Sequence, residues 1–187
     1  MQLVKLRGAV YGKFPDHHLK THQGKNLPAL MIDGLAITAL GHPRATYDLD
    51  LLVPKSAADK WKMELSILSY RIFSESSNFI QFEANNNFPL PPIDLMLVDD
   101  AVFDVIFATR IDSTPLSTPS PQTMIALKLH AIQQPSRQNT EQDWSDIIAL
   151  VRINKLSLDD TEFSAMILKH GGQPAIDRIK ACLSGGA

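Results

Sequence analysis

Asp48 and Asp50 stand two residues apart in Thr46-Tyr-Asp-Leu-Asp-Leu-Leu-Val53, and Asp94 interrupts a second apolar run, Ile93-Asp-Leu-Met-Leu-Val98. Aspartate is depleted in strands, so its presence inside runs that otherwise read as buried strands asks for a chemical reason. Residues two apart along a strand project from one face. Asp48 and Asp50 would therefore point the same way, with Leu49 and Leu51 packed behind them. Two close carboxylates repel each other unless a cation lies between them. Oxygen-only ligand sets suit Mg²⁺, which is usually held by one or two carboxylates together with substrate phosphates. The pattern points to metal-dependent phosphoryl or nucleotidyl chemistry. For Asp48 and Asp50 taken alone, an exposed strand face is the other reading.

The elements that must position these groups follow from periodicity and punctuation. Residues 29–32 form a short apolar strand ended by Asp33-Gly34, which reads as a turn pair. Residues 35–40 look like a short buried helix, stopped by Gly41 and Pro43. A strand over 46–53 follows, and Pro54 ends it. Ser56-Ala-Ala-Asp59 matches a capping box with Asp in place of Glu and opens a helix to about residue 69, with Trp61, Leu65 and Leu68 on its apolar face. Residues 70–84 read as one or two strands, 85–92 as a loop, 93–98 as a strand and 101–109 as a helix. A Pro/Ser/Thr connector spans 114–121, where Ser120-Pro121 is an N-cap and N1 pair. The helix it starts carries Met124, Leu127 and Ala131 on its inner face, with Lys128 alongside. A helix over 141–153 has Trp144, Ile147, Ile148 and Val151 as its apolar side. Ser157 caps a third helix, Gly171 and Gly172 terminate it, and a last one runs from about 174 to 183. The chain thus divides into an α/β core over 1–113 and a helical region over 114–187, expected to pack on the core. Residues 1–28 read as a short helix or irregular lead-in. His17, His18 and His22 lie there in a solvated loop, because no Cys or nearby acid completes a four-ligand zinc set.

Composition narrows the classes. The chain has 187 residues, enough to bury about 70% of its unfolded surface without disulfides. Its 18 basic and 20 acidic side chains give a formal charge of −2, which argues against a general nucleic-acid-binding protein but leaves room for a local basic groove. Cys182 is the single cysteine and cannot form an internal disulfide, which fits a reducing cytosol. No apolar run approaches the roughly 18 residues of a membrane span, and the first residues lack the apolar core of a secretory signal, so a cytoplasmic protein is expected.

The order of strand, Gly turn, short helix, Asp-x-Asp strand and a lone Asp on a later strand resembles the nucleotidyltransferase superfamily. Ile32-Asp-Gly-Leu-Ala-Ile-Thr-Ala-Leu-Gly41 followed by Arg44-Ala-Thr-Tyr-Asp-Leu-Asp-Leu-Leu-Val53 is similar to its small bacterial members, among them AbiEii-type toxins of abortive-infection systems and minimal nucleotidyltransferases. Leu127-Lys-Leu-His-Ala131, Arg137 and Asp143-Trp-Ser-Asp-Ile147 resemble the helical half of that group. The resemblance implies an α+β, nucleotidyltransferase-like fold: a small mixed sheet with flanking helices, then a C-terminal helical region. It implies that Asp48 and Asp50 bind Mg²⁺ bridging the nucleotide phosphates, and that Asp94 completes the site as metal ligand or base. Gly34 would let the backbone approach the triphosphate. Arg44 and Thr46 would support the nucleotide or brace the strand, and Lys128 would neutralise phosphate charge. The implied activity is transfer of a nucleoside monophosphate from a nucleoside triphosphate to a hydroxyl on RNA such as tRNA, on protein or on a small molecule. A cognate antitoxin is the implied protein partner.

One position departs from the pattern. Asp33 stands where the group has a small residue, and a carboxylate there would repel phosphate unless it points away or binds metal. A second reading follows: a catalytically silent nucleotidyltransferase-like binding module or toxin–antitoxin component. A third is a different metal-dependent phosphohydrolase using the same carboxylates.

Overall fold

The computed structural model describes residues 27–85, 90–113, 116–135 and 137–185, with the backbone alone of 5–6 and 9–10. His17, His18 and His22, most of the expected lead-in, the middle of the 85–92 loop and residues 114–115 of the connector lie outside the described residues. Within the lead-in, β1 (Lys5–Leu6) pairs antiparallel with β2 (Ala9–Val10), where a helix or irregular segment was expected. Strands of two residues carry too few positions to register as a period.

The first of two compact units takes in the described residues up to Ala39 and Pro43–Pro119. Its elements are β3 (Leu30–Ile32), α1 (Asp33–Ala39), β4 (Leu49–Pro54), a 3-10 turn at Lys55–Ala57, α2 (Ala58–Ile67), β5 (Tyr70–Glu75), β6 (Phe79–Ala84), β7 (Ile93–Val98) and α3 (Asp100–Ala108). The strands form one sheet in the order β3-β4-β7-β6-β5. Only β4 and β7 run parallel; the other neighbours are antiparallel. Along β7, Ile93, Leu95 and Leu97 are buried while Asp94, Met96 and Val98 are half-exposed, the period-2 alternation of a sheet with one packed face. Each buried aliphatic side chain contributes about 1.5–3 kcal/mol. In the interior strand β4 every residue except Asp50 is buried, so its carboxylate is the polar exception in an apolar strand. From α2, Trp61 and Leu65 enter the core, and the Trp61 indole N–H donates to the Pro28 carbonyl (3.3 Å).

Several expected boundaries move for identifiable reasons. β4 begins at Leu49 rather than at 46, so Asp48 lies just ahead of the strand. Its neighbour β7 cannot extend upstream, because Pro91 and Pro92 have no N–H to donate, and the ladder opens with Leu49 N–H donating to the Pro92 carbonyl (3.0 Å). Pro54 does not stop β4 but is its last residue, opposite Val98. Asp33-Gly34 does not form a turn ahead of the helix; α1 starts at Asp33 itself. Ser56 caps nothing with its side chain. It lies in the 3-10 turn, its backbone N–H donates to the Asp100 carboxylate (3.2 Å), and α2 begins at Ala58.

The second unit comprises Leu40–His42 and the chain from Ser120 onward. Its helices are α4 (Pro121–Ile132), α5 (Thr140–Ile153) and α6 (Thr161–Ser184). The Ser120 hydroxyl accepts from Thr123 N–H, capping α4 as the Ser-Pro pair implied. Asp160, not Ser157, caps α6 by accepting from Phe163 N–H (2.9 Å). Gly172, at φ 68° and ψ −175°, breaks α6 into two helical stretches, the break expected from the Gly-Gly pair. The buried side of α4 is Met124, Ile125, Lys128 and Leu129; Leu127 and Ala131 are only half-buried. On α5, Trp144 and Ile148 are half-buried, while Asp143 and Asp146 are buried beside Ile147. Trp144 instead takes the Arg178 guanidinium over its ring at 4.6 Å.

Candidate active site

The parallel register of β4 and β7 sets Asp50 directly opposite Asp94. On its other side Asp50 pairs with Ile32, the last residue of β3, and Asp33 follows at the head of α1. Three chain segments therefore bring their carboxylates toward one end of the central strands. The effect on Asp50 is large. Burial, followed by the charges of Asp33, Asp48 and Asp94, pushes its carboxyl up to about 8, with Arg44 pulling the other way. Asp94 is also raised, mainly by burial, with Asp48 adding to the rise and a hydrogen bond from Gln81 opposing it.

The segment before β4 is stitched to α1. Thr46 lies so close to Gly34 that a Cβ at position 34 would come within 2.7 Å of the Thr46 Cβ and Oγ1. Only glycine fits that approach. The Thr46 hydroxyl donates to Asp48 Oδ1 (2.5 Å), which fixes one oxygen of that carboxylate. Arg44 Nη1 donates to Asp33 Oδ1 (2.8 Å), and the Arg44 backbone N–H donates to the Thr38 hydroxyl (3.3 Å), which itself donates to the Gly34 carbonyl (3.1 Å). Gly34, Arg44, Thr46, Asp48, Asp50 and Asp94 thus belong to one neighbourhood of the first unit, together with Asp33.

Lys128 belongs to the second unit. Its ammonium, 5% exposed, pairs with Asp143 (3.0 Å) and Asp146 (2.8 Å). Arg137 grips Asp143 with Nε and Nη2, each at 2.7 Å, and Gln142 donates to Asp146 (3.1 Å). The i, i+3 spacing of Asp143 and Asp146 puts both on one helix face, which the sequence allowed.

Gln81 was not singled out in the sequence. Its Nε2 donates to Asp94 Oδ2 (3.3 Å) across the β6–β7 ladder, where the two residues are register partners. No local signal marks a glutamine in a strand as the neighbour of a residue thirteen positions on; only the hairpin register reveals it.

The donor chemistry fits a hard divalent cation: oxygen ligands only, with an excess of negative charge around Asp50. Among the described residues no group of three or more His, Cys, Asp or Glu side chains is disposed to hold a metal by itself. An ion here would rest on one or two of these carboxylates, with phosphate oxygens and water completing its shell, as Mg²⁺ commonly does.

Sheet order and helix arrangement define a nucleotidyltransferase-like α+β fold, and solved structures share it. The solution structure of the antibiotic-resistance factor ANT(2'')-Ia aligns with 90% of this chain and 92% of its own at 15% identity and a TM-score of 0.58. A nucleotidyltransferase-like protein from Paracoccidioides brasiliensis aligns with 89% of this chain and 90% of its own at 18% identity and a TM-score of 0.55. The lincosamide antibiotic adenylyltransferase LnuA aligns over 73% of this chain and 94% of its own at 13% identity and a TM-score of 0.54. At such identities the likeness is one of fold. No curated protein matches the sequence. The family described as nucleotidyl transferase AbiEii toxin, type IV TA system, matches residues 68–181, more than half of the chain, and the chain belongs to that family. The matched region includes Asp94, Lys128 and Asp143 and begins downstream of Asp48 and Asp50. No helix among the described residues is long and apolar enough to cross a membrane.

Proposed function

We propose that the protein is a Mg²⁺-dependent nucleotidyltransferase that moves a nucleoside monophosphate from a nucleoside triphosphate to a hydroxyl acceptor. The observation that carries this reading is the pairing of Asp50 with Asp94 on parallel strands, where burial, and after it the charges of Asp33, Asp48 and Asp94, pushes the Asp50 carboxyl up to about 8. Such a cluster is electrostatically costly unless a cation offsets it. Bound Mg²⁺ would supply charge neutralisation at the α-phosphate and at the leaving oxygen. Asp48 and Asp50 would hold the ion, and the Thr46 hydroxyl keeps Asp48 in place. Asp94, oriented by Gln81, takes the proton from the acceptor hydroxyl. The acceptor oxygen then bonds to the α-phosphorus while the bond from that phosphorus to the β-bridging oxygen breaks, and pyrophosphate leaves with that electron pair. Arg44 meets the phosphates, and Gly34 keeps the approach clear of a side chain. Lys128, whose ammonium pairs with Asp143 and Asp146, is assigned no step in this scheme.

The family, described as a toxin of a type IV toxin–antitoxin system, supports a toxin role with a cognate antitoxin as partner. The acceptor hydroxyl in this reading belongs to an RNA, a protein or a small molecule, and the setting is the cytoplasm. A second reading, a silent binding module, is favoured by one observation: the Asp33 carboxylate lies within the same cluster.

The test is incubation with each α-labelled nucleoside triphosphate, Mg²⁺ and candidate acceptors. Label on the acceptor with matching pyrophosphate release supports transfer. Nucleotide binding without turnover supports the silent reading, and orthophosphate without labelled product supports a phosphohydrolase. Gln81→Leu is expected to lower turnover or metal affinity about 10- to 100-fold, the usual cost of losing a partner behind a ligand. Titrating Mg²⁺ against rate, with the melting temperature as a control, separates that loss from misfolding.

A further inference from the structure

Asp33 is the residue in the site that ordinary structural roles explain least. It has φ 50°, a region that non-glycine residues adopt uncommonly, although Asp tolerates it better than most. A glycine would take the same conformation at no steric cost. The Asp33 side chain lies in the neighbourhood where a polyanion would bind, and it adds negative charge beside Asp48, Asp50 and Asp94. Its partner is Arg44, at 2.8 Å, and the pair is half-buried, with side-chain exposures of 28% for Asp33 and 23% for Arg44. A solvent-borne anion therefore has access to it.

Arg44 is equally constrained. Its backbone N–H is held by the Thr38 hydroxyl, and Thr46, two residues on, is wedged against Gly34. The guanidinium therefore projects from a fixed stretch of chain. A guanidinium N–H binds carboxylate and phosphate oxygens alike, and Asp33 holds Nη1, so the two compete for that donor and for the charge behind it. Its charge also reaches Asp50, which places it close to the carboxylates that would hold the metal and its phosphates.

We propose that the Asp33 carboxylate is a resident competitor for the nucleotide phosphates at Arg44, so that a triphosphate reaches Arg44 Nη1 by displacing Asp33. This deepens the nucleotidyltransferase reading and rests on it. Asp33 then sets the nucleotide concentration at which the site fills, and keeps the guanidinium aimed at the site when nucleotide is absent. An exposed or half-exposed ion pair contributes little to stability, so nucleotide can displace Asp33 without unfolding the loop.

Binding is measured by calorimetry with inorganic tripolyphosphate, which carries the phosphate chain without a base, and with each nucleoside triphosphate. Each titration is run in EDTA and again with Mg²⁺. Asp33→Asn keeps a hydrogen-bonding group and the tolerance for φ 50° while removing the charge. It is expected to bind about tenfold or more tightly than wild type, with or without metal, since the phosphates no longer have to displace a charged partner from Arg44. Asp33→Gly provides the same test with the backbone strain relieved. Arg44→Gln is expected to cost about threefold or less in wild type, where Asp33 already holds Nη1, yet to remove the whole gain in the Asp33→Asn background. Equal affinity of wild type and Asp33→Asn would overturn the proposal. A loss of affinity confined to the Mg²⁺ titrations would also overturn it, by making Asp33 a metal ligand. If neither wild type nor any Asp33 variant binds tripolyphosphate or a triphosphate, the nucleotide reading itself fails. That outcome differs from wild type binding normally while Asp33→Asn binds no better.

Discussion

Replacing Asp50 by Asn is expected to lower nucleotidyl transfer by roughly 10³-fold, the scale of losing a principal electrostatic element of a site, and at the same time to stabilise the metal-free protein at alkaline pH. The two effects share one cause. Asp50 is the polar exception in an otherwise buried strand, and its carboxyl is pushed from 3.8 to about 8 by burial and then by Asp33, Asp48 and Asp94. The native protein therefore holds a proton that the unfolded chain would release between those two values. Stability from this group is fully present below about pH 4 and is lost progressively as the pH rises to about 8. Each tenfold difference in proton affinity corresponds to 1.36 kcal/mol, so, after a discount for solvent relaxation, the loss is about 3 kcal/mol. Asn carries no such penalty. Melting curves of wild type and Asp50→Asn in EDTA should converge near pH 4 and separate by several degrees near pH 9, with the variant higher. Adding Mg²⁺ with nucleoside triphosphate at about 1,000 times Kd should reverse the order, because only wild type gains the linkage stabilisation of about 4.1 kcal/mol. Parallel curves at all pH values would mean that Asp50 ionises freely, and the electrostatic case for a cation at this site would fall.

The parts of this arrangement that the sequence exposed are those governed by local periodicity. Asp50 and Asp94 each break an apolar run, so both could be placed on strands, and the class of the fold followed from element order. Register is the part that periodicity does not carry. That Asp50 faces Asp94, that Gln81 faces Asp94, and that β4 starts only where Pro92 ends its constraint on β7 are all facts about pairing between distant segments. Asp48 shows the consequence: the i, i+2 rule for strands placed it on the same face as Asp50, yet it precedes the strand and is oriented by Thr46 instead. Asp33 misled in another way. The Asp-Gly pair is a turn signal, but here the residue opens a helix in the left-handed region and turns its carboxylate toward Arg44.

Helical faces show the same limit in the second unit, and Lys128 provides the sharpest test of it. A lysine on a solvated or phosphate-binding face would tolerate replacement without loss of fold, but this one is buried with Asp143 and Asp146. Lys128→Met is expected to destabilise the protein by about 3–5 kcal/mol, because removing one member of a buried ion network strands the charge of its partners. The two aspartates would not suffer equally. Asp143 keeps both of its bonds from the Arg137 guanidinium, whereas Asp146, which is 0% exposed, loses its 2.8 Å pairing with the ammonium. Most of the cost should therefore be carried by Asp146. Adding Asp146→Asn to Lys128→Met should recover a large part of the loss, since an amide leaves no uncompensated charge. Adding Asp143→Asn instead should recover less and should also release Arg137. Urea unfolding of the two double variants, read by helical circular dichroism, distinguishes these outcomes. If Lys128→Met melted like wild type but bound triphosphate poorly, the ammonium would act at phosphate rather than inside the helical unit. Loss of stability with the expected rescue pattern, and with tripolyphosphate affinity unchanged in the folded double variant, would assign Lys128 to the packing of its own helices. The phosphate-facing charge of the proposed site would then fall to Arg44, whose availability Asp33 controls.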